Sequence, residues 1–255
     1  MGVSWKGSIS FGLIYIPISL KVAAKEERIG FNMLHKDDHH RIKYKKFCEY
    51  CGEEVKHADI IKGYQYEDNK YITFDDDDFE KIKSNRDKTI QIMQFVDASE
   101  IDSIYYDKSY YVVPEGGEKA FEVLRRALSE SNKVGIAKAV LGTDESLIAL
   151  RMSHNNMVLN KLFFRNEIRP AEVKEIHAEV NQSEVDLAKQ LILNMSNEFE
   201  PDQFHNEYNE KLKAAIEMKI EGKEIEVPKE EEGVNVVNLM EALQQSVKAT
   251  ERPRV

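Results

Sequence analysis

The stretch RIKYKKFCEYCGEE, residues 41–54, sets two chemistries side by side. Arg41, Lys43, Lys45 and Lys46 place four cations in six residues, just before Cys48-x-x-Cys51. Two thiolates at this spacing can share one zinc ion on a tight turn, and Gly52 suits that turn. A structural zinc takes four ligands, and these are the only two cysteines of the chain. His35, His39, His40 and His57 lie near in sequence and could complete the sphere. A second subunit could instead contribute its own cysteine pair. Two alternatives stay open. One is a redox dithiol, although the β-α-β context of a thioredoxin-like site is missing. The other is a turn with two reduced thiols and no metal.

The cations carry a second chemistry. Strand periodicity would put Arg41, Lys43 and Lys45 on one face and Ile42, Tyr44 and Lys46 on the other. Charges repeating at about 6.5–7 Å suit successive phosphates of a nucleic-acid backbone. A solvated strand edge guarded by lysines is the plainer alternative. Lys138, Arg151 and Lys161 each sit mid-strand among apolar residues, and would share a face if their strands adjoin. Arg125 and Arg126 point mostly away from the apolar face of a helix, toward solvent or a ligand. None of these residues is arranged to read base edges, so binding through them would ignore sequence.

Composition narrows the classes. The chain has 255 residues, 42% hydrophobic and 32% charged, as expected of a globular protein with a real core. Its net charge of −10 argues against a uniformly basic DNA-coating protein. The charge is unevenly spread: +2 over residues 1–60, −6 over 61–130, +1 over 131–180 and −7 over 181–255. One face can therefore bind a polyanion while the rest repels it. No apolar run approaches the ~18–20 residues of a membrane span. The opening MGVSWKGSISFGLIYIPISL lacks the plan of a secretory signal, so a cytoplasmic protein is expected. No Walker loop, G-x-G-x-x-G, G-x-S-x-G or H-E-x-x-H motif is present, which lowers the case for an enzyme.

The elements that must position these residues change character along the chain. SISFGLIYIPISLKV (8–22) predicts two short strands or one bent strand, broken at Gly12 and Pro17. Short β-like pieces follow around Gly63, and four aspartates (75–78) cap a helix. Residues 89–113 predict strand, connector and strand. PEGGEK opens a helix with Phe121, Leu124 and Leu128 on one face. KVGIAKAVL, SLIALRM and MVLNKLFF predict an antiparallel meander. Many short strands before residue 165 point to a barrel or sandwich.

Two amphipathic helices come next. The first opens on a Ser183–Asp186 cap and carries Leu187, Leu191 and Met195 at spacing four. The second carries Phe204, Tyr208 and Leu212 on one stripe and stops at Gly222. Together they look like an arm that packs on something else. Residues 223–234 are an acidic linker by composition. A last helix puts Val236, Met240, Leu243 and Val247 on a narrow seam. It either docks a partner or folds back on the chain.

Several segments resemble bacterial Ku. They are WKGSISFGLIYIPISLKVAA, FNMLHKDDHHRIKYKKFCEYCGEEV, DDDDFEKI, YYDKSYYVVPE, LIALR, NEIRP, NEFEPDQFHNEYNEKLKAAIEMKIEGK and VNLMEALQQSVKA. They run in order over nearly the whole chain. The resemblance implies an α+β protein: an antiparallel β-barrel core over residues 1–180, a helical dimerisation arm over 181–222, and a linker with a partner-docking helix over 223–255. It implies a homodimeric ring, without catalytic residues, that threads onto double-stranded DNA ends in non-homologous end joining and recruits an ATP-dependent DNA ligase. By position it implies DNA contact for the basic stretch, dimerisation for the arm and ligase docking for the last helix. A cytoplasmic, nucleoid-associated location follows, with no required cofactor beyond a possible structural zinc. Many relatives continue into a Lys-rich tail, whereas this chain stops at ATERPRV. The competing class is a β-barrel adaptor that binds peptides and no DNA.

Overall fold

A computed structural model describes residues 3–82, 88–142, 144–171, 177–225 and 239–250. The chain divides into two compact units, Met1–Ala171 and Glu172–Val255. The first begins with strands β1 (Val3–Phe11) and β2 (Ile14–Val22), a hairpin that turns at Gly12, whose φ is +59°. Only Gly12 breaks the apolar run. Pro17 stays inside β2, and its carbonyl accepts a hydrogen bond from the Glu115 amide at 2.9 Å. Its nitrogen faces the same way, where the ladder to the next strand ends, so the missing donor costs no bond.

A small hairpin follows, β3 (Lys62–Glu67) with β4 (Lys70–Phe74), and then helix α1 (Asp76–Ile82). The aspartates cap that helix as expected: the Asp78 amide donates to Asp75 Oδ1 at 2.8 Å. Strands β5 (Thr89–Asp97) and β6 (Tyr106–Pro114) precede α2 (Glu118–Ser131). The predicted meander is β7 (Lys133–Leu141), β8 (Asp144–Ser153) and β9 (Asn156–Leu162).

Seven strands close a barrel in the order β1-β2-β6-β9-β8-β7-β5. The barrel is mixed rather than antiparallel. Closure comes from a parallel pairing of β1 with β5, Ser8 to Thr89 through Ser10 to Gln91. Strands brought together over so long a connection are free to run either way.

Alternate residues of each strand fill the barrel. Ile16, Ile18 and Leu20 of β2 meet Ile9, Ile90, Ile148, Leu150 and Leu159, and Leu124 and Leu128 of α2 pack onto the same cluster. A second cluster, Val134, Ala149 and Leu162, is covered by Ile101, Tyr105 and Tyr106. Strand β8 therefore buries both faces, which explains the unbroken apolar run in SLIAL.

The second unit holds α3 (Gln182–Met195), α4 (Glu207–Ile220) and α5 (Leu239–Thr250). The cap of α3 is Asn181, not Ser183. The Asn181 side chain accepts from the Ser183 amide at 3.1 Å, and Glu184 reaches back to the Asn181 amide at 3.2 Å. Asparagine two residues earlier serves as the cap instead, its side-chain oxygen accepting from an orphan amide. Gly222 ends α4 with φ +76°. Among the described residues no helix is long and apolar enough to cross a membrane.

Candidate nucleic-acid interface

The basic stretch lies between β2 and α1, in a region with little regular structure. Isolated bridges join Leu34 to Arg41 and Phe47 to Glu54. No strand runs through residues 41–46. Each bridge closes its own turn. In the first, the His35 amide donates to the His40 carbonyl at 2.8 Å; in the second, the Cys48 amide donates to the Glu53 carbonyl at 3.0 Å. The residues between have no continuous neighbour to pair with, so the expected division into two strand faces does not form. All six side chains from Arg41 to Lys46 are exposed.

The cations of this stretch differ in their partners. Lys45 pairs with Glu54 at 2.6 Å. Arg41, Lys43 and Lys46 make no ion pair among the described residues. Large aromatics within and flanking this stretch in sequence, Phe31, Tyr44, Phe47 and Tyr50, are exposed, as is Tyr64 on the β3–β4 hairpin. The aromatic content of that hairpin was readable as Tyr64 and Tyr66 at strand spacing, but nothing in the sequence marked it as uncovered.

The five cations expected on the barrel strands and α2 have partners. Arg125 donates twice to Glu122, from Nε at 2.7 Å and Nη2 at 2.9 Å, and Arg126 Nε donates to the same carboxylate at 2.6 Å. Arg125, more than Arg126, pulls the Glu122 carboxyl down to about 2. Lys138 pairs with Glu145 at 3.1 Å. Arg151 donates to Asn160 Oδ1 at 2.8 Å, and the buried Asn160 donates on to Ser109 at 2.7 Å. Lys161 pairs with Asp107 at 3.9 Å.

Their strands do adjoin, in the order β9-β8-β7. The register sets Lys138 opposite Leu147, on the face that also carries Arg151. Lys161 stands opposite Ile148, which is buried in the barrel core, and so leaves from the other face. Two of these three cations share a face.

A closed barrel with a helix across it, followed by helices in a separate unit, is matched by a model of the Ku70/Ku80 beta-barrel domain over residues 10–187. This chain belongs to the Ku family. It is 42% identical over 253 residues to the non-homologous end joining protein Ku of Lachnoclostridium phytofermentans, covering 99% of this chain and 98% of that one. It is 42% identical over 254 residues to the Archaeoglobus fulgidus protein of the same name, covering 98% and 99%. The Bacillus subtilis protein is 37% identical over 264 residues, covering 99% and 84%. Ku membership and the barrel support a general role in DNA-end binding and end joining, and a protein that is not an enzyme.

The cysteine turn of this Ku chain is closed by its backbone. The Gly52 amide closes the loop on the Cys48 carbonyl at 2.9 Å, with Gly52 at φ +70°. The backbone N–H of Cys51, then that of Tyr50, bonds the Cys48 sulfur and holds its thiol below the usual range. Thiolate character is what a zinc ligand needs. Among the described residues, no third His, Cys, Asp or Glu gathers with the pair into a metal site. The nearby histidines therefore do not complete a sphere within this chain.

In the second unit of the Ku chain, Leu187 and Leu191 of α3 are half-buried, whereas Met195 is exposed. Phe204 precedes α4, stacks on Phe199 at 5.7 Å and is exposed, as is Tyr208, while Leu212 is half-buried. In α5, Met240 and Leu243 are half-buried and Val247 is buried. Val236 lies outside the described residues.

Proposed function

We propose that this chain binds ends of double-stranded DNA, without regard to sequence, as a homodimeric ring. It then recruits and stimulates an ATP-dependent DNA ligase in double-strand break repair, in the cytoplasm at the nucleoid. One observation carries the reading: Arg41, Lys43 and Lys46 are exposed and make no ion pair among the described residues, whereas Lys138 and Lys161 on the barrel strands are each held by an acid. Unmatched cations beside exposed aromatics suit a phosphate backbone on one side and a second copy of the chain on the other. The net charge of −10 then belongs to the surface away from DNA.

A ring makes end selection topological. Linear duplex should therefore bind, and covalently closed circular duplex should bind far less, with affinity falling steeply with salt. Equal gel-shift affinity for linear and closed circular duplex would overturn the ring. The zinc proposal is the intersubunit one: Cys48 and Cys51 of each copy supply two of four ligands. Elemental analysis of the purified dimer should find one zinc per two chains, lost in Cys48→Ser.

A further inference from the structure

The α5 seam expected to face a partner is occupied within this chain. Helix α5 packs along α3. Val247 is 5% exposed, and Met240, Leu243 and Thr250, on the same stripe, are half-buried. On α3 the half-buried stripe is Leu187, Leu191 and Asn194, and Asn194 Nδ2 donates to Thr250 Oγ1 at 3.5 Å. The opposite side of α5 offers Gln244, Gln245 and Lys248, all exposed. A partner that takes a helix into a groove needs apolar anchors at i, i+3 and i+7. The anchors of α5 at that spacing are the residues already turned to α3.

We propose that α3 closes the docking seam of α5, so that a partner gains the seam only when the two helices separate. The proposal rests on the docking role given above to α5. The closure is light. Neither helix packs comparably on any other described element, and most of the facing residues are only half-buried. A two-helix contact without a third layer opens readily. A partner offering a better apolar groove can therefore replace α3, and the fraction of open seam scales its apparent affinity.

The test uses the full chain with Asn194→Lys on α3 and, separately, Thr250→Lys at the end of α5. Each crowds the contact and leaves Met240, Leu243 and Val247 unchanged. Hydrogen exchange of the α5 amides should quicken by about tenfold. Capture of the purified end-joining ligase should strengthen by a similar factor, and gel shifts with linear duplex should not change. Faster exchange with unchanged or weaker ligase capture overturns the closure, as does unchanged exchange. Loss of linear-duplex binding by the unaltered chain would instead strike the end-binding reading.

Discussion

Ile148 and Tyr44 belong to the same compact unit and share almost nothing. Ile148 is fully buried between β7 and β9, whereas Tyr44 is 81% exposed between two isolated bridges. The barrel largely completes itself: its apolar residues meet one another, and Lys138 and Lys161 meet acids. The stretch around residues 41–54 does less of either: of its four cations before Cys48, only Lys45 meets an acid, Glu54, among the described residues. Its aromatics face outward, and Arg41, Lys43 and Lys46 have no acid beside them among the described residues. Folding alone explains the barrel. The other stretch is where the proposed DNA and second copy would bind: exposed aromatics and unmatched cations add little to the stability of a lone chain.

The contrast breaks most visibly in folding stability. Leu150→Ala removes a side chain with no exposed surface and should cost about 2–5 kcal/mol in chemical denaturation. Tyr64→Ala, on the exposed hairpin, should stay within about 0.5 kcal/mol for the isolated chain. It should nevertheless weaken self-association in sedimentation. Equal losses from the two substitutions would mean that the hairpin is packed like the barrel.

DNA binding should show the reverse ranking. Lys43→Glu with Lys46→Glu should weaken linear-duplex binding by roughly tenfold or more, and lower the salt slope by about one unit per lysine. Lys138→Ala removes a cation already held by Glu145, so its effect should be several times smaller. A larger loss from Lys138→Ala would move the phosphate track onto the barrel.

How much of this was legible depended on whether the signal was local. SLIAL, KVGIAKAVL and the Phe121–Leu124–Leu128 stripe each reported their own burial, so the meander and α2 were readable. The parallel β1–β5 closure was not, because pairing between Ser8 and Thr89 leaves no mark in either segment. In RIKYKK the alternation resembled a strand, but a strand needs a neighbour, and the chain supplies only single bridges at Arg41 and Phe47. The Glu122 partner of Arg125 and Arg126 lies at i,i+3 and i,i+4 spacing on a predicted helix and was legible; the partners of Lys138, Arg151 and Lys161 were not. Lys161 pairs with Asp107 from a distant strand, a match that only the folded barrel creates.

The smallest expected effect tests the matching itself. Glu122 lies at 40% side-chain exposure between two arginines, and its carboxyl is pulled down to about 2 from an ordinary 4.5, by Arg125 first. A depressed folded value means that this stabilisation is complete above pH 4.5 and is lost as pH falls through about 2. Glu122→Gln should therefore lower the melting temperature slightly at neutral pH, less than the core substitution does, with the difference closing between pH 4.5 and 2. The same change frees Arg125 and Arg126 and turns a matched site on the barrel into an unmatched one. If α2 stands away from the DNA, end binding should not respond. Tighter binding by Glu122→Gln would place α2 beside the basic stretch as a second source of phosphate contacts, held in check by its own carboxylate.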